Sequence, residues 1–302
     1  MNIKEFLEKE NIGEVRVDEE LTKHTTYRVG GKCNYFVQPS SIDNLIKLIK
    51  FLKDNNIKYK VLGNGSNVIV SSNVFNGVII SLMKLNNVEI DGEYVTVEAG
   101  FPVIKLSNYL ANNYLGGFEF ASGIPAQIGG AVYMNAGAYK SDMSEVIEEV
   151  TFIDENCNLV TLPKEKLDFS YRHSIFQDKD YIVVRVKMKL YKVDDRDEIL
   201  TLMNDRRQRR IETQPLEYPS AGSVFRNPAE DIYSGKLIED LGLKGYSIGG
   251  AKISEKHANF IVNYNNATAE DIKKLIDLIK EKVKEKYNID LMVEQEFVNF
   301  GD

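Results

Sequence analysis

Tryptophan is absent from the 302-residue sequence, and cysteine (two), histidine (three) and proline (seven) are scarce. Cys33 and Cys157 are too few for a disulfide framework and neither belongs to a CxxC pair, which excludes a disulfide-stapled scaffold and makes a reducing cytosol the expected compartment. His24, His173 and His257 lie far apart and outside any HExxH context, so no metal site is expected. The opening MNIKEFLEKENIGEVRVDEE has no apolar run of signal-peptide length, and nothing elsewhere approaches the ~18 uninterrupted apolar residues of a membrane span. A cytoplasmic protein with no membrane partner is the expectation. Excess positive charge is also missing: 38 Lys+Arg stand against 45 Asp+Glu, a net −7, which argues against a surface built for nucleic acid.

What is present fits an ordinary globular chain, 43% apolar and 27% charged, long enough for two domains or three. SSIDNLIKLIKFLKDNN places Ile42, Leu45, Ile46, Ile49 and Leu52 at helical spacing behind a serine start, and strand-like YKVLG follows. VIV, GVIISL, VEI and YVTVEAG read as short strands, the last two joined at Asp91-Gly92. FPVIKLSNYLANNYL reads as a helix stopped by Gly116-Gly117, and YIVVRVKMKLY as a strand with one polar face. These place an α+β domain over about Leu21 to Tyr191. DDRDEILTLMNDRRQRRIETQP reads as a solvated bridging helix carrying Arg206, Arg207, Arg209 and Arg210, the hinge into a second domain. That domain closes with ATAEDIKKLIDLIKEKVKEKY, whose apolar face is Ile272, Leu275, Ile276, Ile279 and Val283, and with a final strand in DLMVEQEFVNF.

Glycine is unevenly spread: 11 of the 21 fall between Gly63 and Gly137. Two loops stand out, VLGNGSNVIV at 61–70 and GIPAQIGGAVYMNAGAY at 123–139. Neither is a Rossmann or Walker loop, because Val68 occupies the place of the third glycine and no GK[ST] occurs. Successive N–H groups flanked by Ser66, Asn67 and Ser122 suit an anion such as a pyrophosphate. Tight turns between strands account for the glycines equally well; the presence of two such loops favours a dinucleotide.

TTYRVGG at 25–31, LGNGSNVIV, SGIPAQIGGAVYMNAGAY, YRHSIF at 171–176, SAGSVFRNP at 220–228 and GGAKISEKHANFIVN at 249–263 together resemble the UDP-N-acetylenolpyruvoylglucosamine reductase (MurB) family over essentially the whole chain. The 46 residues between Phe176 and Ser223 resemble its shorter type II subgroup, with little room for an extra substrate-closing loop. The resemblance implies an α+β fold: an FAD-binding domain of the PCMH or vanillyl-alcohol-oxidase type over 1–191, made of two α+β subdomains at about 1–66 and 67–191. A C-terminal α+β substrate-binding domain over 192–302 would return its last strand, about 291–300, toward the flavin site. It implies that Gly63, Asn64, Gly65, Ser66, Asn67, Ser122, Gly123, Ile124, Pro125, Gly129 and Gly130 hold FAD. The glycine loop has no histidine for a covalent link, so the FAD is expected to be noncovalent.

The implied substrate is an enol ether conjugated to a carboxylate, the enolpyruvyl group of UDP-N-acetylglucosamine enolpyruvate. Hydride arriving at its terminal vinyl carbon develops negative charge on the α-carbon and carboxylate, so a cation, a carboxyl group and a protic donor are needed. By the resemblance these are Arg172, Glu296 and Ser223. Glu294 shares a strand face with Glu296 and stays an alternative. Asn227 matches a position that contacts the nucleotide diphosphate, Arg226 beside it adds charge, and His257 lines the substrate site or is structural. NADPH is the implied hydride donor, working in the same cleft before substrate. A PCMH-type oxidase of a sugar or alcohol, or a flavin- or UDP-sugar-binding protein without turnover, are the competing expectations.

Overall fold

The apolar spacing at 42–52 folds as the helix Ile42–Asp54 in the computed structural model, which describes residues 2–301. Ser41 caps it, its Oγ accepting the Asn44 N–H, and Leu45, Leu48, Ile49 and Leu52 form the buried stripe. The chain divides into two compact units. One comprises the residues up to Val17, Tyr35–Asn64 and Asn76–Arg207; the other comprises Asp18–Asn34, Gly65–Phe75 and the chain from Gln208 onward.

The first unit is built on a five-stranded antiparallel sheet in the order Leu159–Pro163, Ile147–Ile153, Ile182–Lys189, Tyr94–Glu98, Val88–Asp91. Its central strand is the YIVVRVKMKLY run: Val184, Val186 and Met188 are buried while Arg185 and Lys189 alternate outward. The Val88–Asp91 hairpin closes one residue later than its dipeptide suggests. Asp91 pairs with Tyr94, leaving Gly92 (φ 62°) and Glu93 as the turn, with glycine at the first central position where a positive φ is needed. Helix Val103–Asn112 buries Val103, Leu106, Leu110 and Ala111, and the helix Ile128–Tyr133 follows the second glycine loop. A further sheet, ordered Gly13–Glu20, Lys32–Pro39, Phe75–Ile80, Tyr59–Val61, ends in a parallel pair.

The second unit packs the antiparallel strands Ser247–Ile248, Ala251–Ile253 and Ile261–Asn263 with helix Ala269–Tyr287. All five expected apolar positions of that helix are buried, and Thr268 with Asp271 forms a capping box at its start. Asp271 also accepts the Gly250 N–H at 3.2 Å. Gly250 lies so close to the backbone of Asn265 and Ala267 that a Cβ has no room, which explains the second of the paired glycines opening GGAKISEKHANFIVN.

The arginine-rich helix, Arg196–Thr213, buries only Ile199 and Met203, and the division between the units falls inside it. The final strand is shorter than expected, Glu296–Val298, because the residues before it bond to a different segment. Among the described residues no helix is long and apolar enough to cross a membrane.

Candidate active site

In the second unit, strand Glu296–Val298 runs parallel to Val68–Val70, with Glu296 opposite Val68. The pairing continues backward: the Glu296 N–H donates to the Asn67 carbonyl at 2.9 Å, and Asn67 Nδ2 donates to the Glu294 carbonyl at 3.1 Å. On its other edge the same segment bonds to the SAGSVFRNP loop. The Glu294 N–H donates to the Val224 carbonyl at 2.8 Å and the Arg226 N–H to the Met292 carbonyl at 3.0 Å, with Phe225 bridged to Val293. One extended segment thus joins Asn67 of the first glycine loop to the loop bearing Ser223. Glu294 and Glu296 are both half-buried on one face, and the intervening Gln295 is buried on the other.

Ser223 follows Gly222, whose φ of 76° turns the chain sharply. Its hydroxyl is half-buried and makes no hydrogen bond among the described residues. The next residues are held tightly: Asn259 accepts the Phe225 N–H at 3.0 Å, donates to the Phe225 carbonyl at 2.9 Å, and accepts the Val224 N–H on its own carbonyl at 2.8 Å. Asn227 has a structural task, its Oδ1 accepting the N–H of Ser234 at the start of helix Ser234–Asp240 at 3.2 Å. Ser234 in turn donates to the Arg226 carbonyl at 2.6 Å. His257 is half-buried, edge-on to Phe260, with Nδ1 accepting the Asn259 N–H at 3.2 Å. Burial, then the Lys244 charge, hold its imidazole below the ordinary range, consistent with a neutral ring whose proton sits on Nε2.

Gly65, Ser66 and Asn67 also belong to this unit, and their backbone N–H groups make no hydrogen bond among the described residues. Gly65 has φ 65° and sits against the His24 carbonyl, where only glycine fits.

The first unit carries Gly63, Asn64, the 122–130 loop and Arg172. Asn64 Nδ2 donates to the Pro125 carbonyl at 2.6 Å, so the two glycine loops meet here. Ser122 donates to the Glu119 carbonyl at 2.9 Å, and Ile124 N–H to the Ala121 carbonyl at 2.9 Å, leaving the Gly123 N–H without a hydrogen bond among the described residues. Gly129 is a packing glycine, since a Cβ there meets the Ala99 Cβ at 3.0 Å. Gly130 and Gly63 are different: a Cβ at Gly130 meets nothing within 4 Å, and one at Gly63 meets only Gln127 Oε1 at 3.9 Å. Protein packing does not require glycine at either position, so both backbones lie bare toward space that a ligand can fill. Unpartnered N–H groups and bare glycine backbone are the features an FAD pyrophosphate needs.

Arg172 sits at the tip of a two-residue hairpin closed by reciprocal hydrogen bonds between Ser170 and His173. Its φ of 57° is left-handed, a position glycine or asparagine ordinarily fills, at a cost for arginine of about 1–2 kcal/mol. The guanidinium donates to the Gly137 carbonyl at 2.9 Å and lies 5.4 Å from the Tyr171 ring centroid. His173 Nε2 is flanked by Asp178 at 3.2 Å and Asp168 at 3.6 Å, which steadies the arm of this turn.

Two residues of the second unit were overlooked in the motifs that contain them. Asn259 lies in SEKHANF and Gln295 in EQEF, where only His257, Glu294 and Glu296 were singled out. Only the burial of their amides against a loop distant in sequence reveals their task. Cys33 and Cys157 are free, buried thiols.

The family described as "UDP-N-acetylenolpyruvoylglucosamine reductase, C-terminal domain" matches residues 214–298, and that described as "FAD binding domain" matches residues 33–163. The expected fold class, α+β with an FAD-binding domain and a C-terminal reductase-family domain, is borne out. The chain is similar to the UDP-N-acetylenolpyruvoylglucosamine reductase of Caldanaerobacter subterraneus subsp. tengcongensis, 46% identical over 98% of this chain and 96% of the relative. It is also similar to that of Clostridium botulinum, at 45% identity over 93% of this chain and 91% of the relative. The crystal structure of the enzyme from Thermus caldophilus superposes with a TM-score of 0.79 at 33% identity, covering 94% of this chain and all of that one. Identity of this order over nearly the full length of both chains, with the two domain matches in sequence order, establishes that the chain belongs to the UDP-N-acetylenolpyruvoylglucosamine reductase family.

Proposed function

We propose that the chain is an NADPH-dependent flavoenzyme that reduces the enolpyruvyl group of UDP-N-acetylglucosamine enolpyruvate to give UDP-N-acetylmuramate, a step in peptidoglycan precursor synthesis. The observation that carries this reading is the segment of residues 292–298. It is hydrogen-bonded to Asn67 of a bare glycine loop on one edge and to the Ser223 loop on the other. An unpartnered glycine-loop backbone, a carboxyl group and an uncommitted hydroxyl therefore stand on adjoining segments of one unit.

FAD, held noncovalently, would supply the hydride chemistry that links NADPH to the terminal vinyl carbon of the substrate. The residues assigned to hold it are Gly63, Asn64, Gly65, Ser66, Asn67, Ser122, Gly123, Ile124, Pro125, Gly129 and Gly130. They would do so through backbone N–H groups, with no full positive charge.

The remaining chemistry belongs to side chains. As the vinyl carbon gains hydride, the electron pair of the double bond moves onto the α-carbon and its carboxylate. Arg172 stabilises that charge, and Glu296, as the neutral acid, supports it by donating a hydrogen bond. Ser223 then delivers its hydroxyl proton to the α-carbon. Serine is a weak acid, and its use is reasonable because the centre it quenches is strongly basic. Asn227, Arg226 and His257 are assigned to the UDP-sugar. Asn227 serves this role through the helix start that it caps, and His257 through its Nε2–H.

The test is direct. The purified protein should show a yellow flavin spectrum and should consume NADPH in proportion to added UDP-N-acetylglucosamine enolpyruvate, with little direct oxygen reduction. A colourless protein, or one whose flavin NADPH cannot reduce with substrate present, refutes the assignment; substrate-independent oxygen consumption points to an oxidase instead.

A further inference from the structure

The geometry points to Gln295, braced by Tyr27, as the positioning residue that fixes the Ser223 loop and so aims the Ser223 hydroxyl at the substrate. This rests on the reading of Ser223 as the proton donor.

Three consecutive carbonyls, those of Ala221, Gly222 and Ser223, converge on one atom, Gln295 Nε2, at 3.0, 3.3 and 3.3 Å. Carbonyl oxygens that approach one another repel, and the arrangement holds only with a donor at its centre. The positive φ of Gly222 lets the chain curl this way. Gln295 is nearly fully buried, so water cannot substitute for the amide. The amide is also oriented. Its Oε1 accepts the Tyr27 hydroxyl at 3.1 Å, and burial raises the Tyr27 hydroxyl well above its ordinary range, so the phenol keeps its proton. A flipped amide would point its oxygen at three carbonyls.

Beyond Ser223, the N–H and carbonyl of Val224 and of Phe225 and the N–H of Arg226 are each bonded to the 292–294 segment or to Asn259, and the Arg226 carbonyl accepts from Ser234. Ser223 Oγ has no partner among the described residues, so the backbone that carries it sets where it can point. Among the described residues Gln295 is the one side chain that bonds to that backbone. It touches neither the reacting carbon nor the proton.

Gln295→Glu is nearly isosteric and provides the decisive variant. Ionised, its carboxylate faces three carbonyls and the loop opens; protonated, its O–H restores one donor. Rapid mixing of NADPH-reduced protein with UDP-N-acetylglucosamine enolpyruvate, without oxygen, reads the oxidative half-reaction. The expected result is that Q295E reoxidises about 10²-fold more slowly than the parent near pH 8, the scale of loss for a misplaced reacting group. The rate should recover as pH falls, while the parent shows no such recovery and flavin reduction by NADPH stays near the parental rate. Tyr27→Phe, which keeps the ring and removes the brace, should slow reoxidation by a smaller factor and leave reduction unchanged; it carries the test if Q295E does not fold.

Parental reoxidation in a folded Q295E, or in Y27F when Q295E does not fold, overturns the inference, as does an equal fall of both half-reactions. If Ser223→Ala reoxidises at the parental rate, or the parent itself is not reoxidised by this substrate, the failure lies in the underlying functional reading.

Discussion

At the scale of single residues the separation of roles is testable. Ser223→Ala should leave flavin reduction by NADPH near normal and slow reoxidation by substrate about 10²-fold or more, the loss expected for a missing general acid, as read by anaerobic rapid mixing. Glu296→Gln should act on the same half-reaction, whereas Glu294→Gln should spare it. Glu296 pairs with Val68 beside the glycine loop, while Glu294 serves the Ser223 loop through its backbone. Arg172→Gly relieves a left-handed arginine, worth about 1–2 kcal/mol, and loses the guanidinium's contacts, the Gly137 hydrogen bond among them, an effect of about 1.5–3 kcal/mol of opposite sign. Thermal stability should therefore change by little, within about 2 kcal/mol, while reoxidation collapses; a large drop in melting temperature would mean that Arg172 is mainly structural. His257 gives the pH dependence. Its imidazole titrates below the ordinary value in the fold. As pH falls below about 6.5, the ordinary imidazole value, the unfolded chain takes up a proton that the fold resists, and stability declines until the lower folded value is passed. Urea unfolding across pH 5 to 8 should show this decline in the parent and a flatter profile in His257→Gln.

At the scale of elements, the helices were the most legible part of the sequence. Their apolar periodicity carries both the element and its buried face, as the five buried positions of Ala269–Tyr287 show. Thr268→Ala removes the cap from this helix and should cost about 0.5–2 kcal/mol in equilibrium unfolding. The final strand was less legible, because period-2 alternation over DLMVEQEFVNF does not say which partner each residue takes. Residues 292–294 bond to the Ser223 loop and 296–298 to Val68–Val70, with Gln295 at the changeover. The Asp91-Gly92 turn was placed one residue early for a related reason: the dipeptide marks the hairpin, while the register is set by the Asp91 and Tyr94 pairing. The site residues were legible as motif members, but their supports were not. Asn259 and Gln295 act through amides buried against a loop far away in sequence, and no local pattern encodes that contact.

At the scale of the whole molecule, a net charge of −7 must be reconciled with proposed ligands that are all anions: FAD, NADPH and a UDP-sugar carboxylate. The means are local. On the proposed assignment, the unpartnered N–H groups at 65–67 in one unit and at Gly123 in the other would each offer partial positive charge without adding cations to the surface. Flavin held by backbone dipoles and contacts should be released when the fold is lost, so acid denaturation should leave all the flavin in the supernatant; flavin retained on the precipitated chain would indicate a covalent link. The most direct measurement is anaerobic rapid mixing of the purified protein, first with NADPH and then with UDP-N-acetylglucosamine enolpyruvate. The flavin absorbance should bleach in the first step and return in the second, with one UDP-N-acetylmuramate formed per flavin reoxidised. Flavin that stays reduced with this substrate but is rapidly reoxidised by oxygen would contradict the assignment.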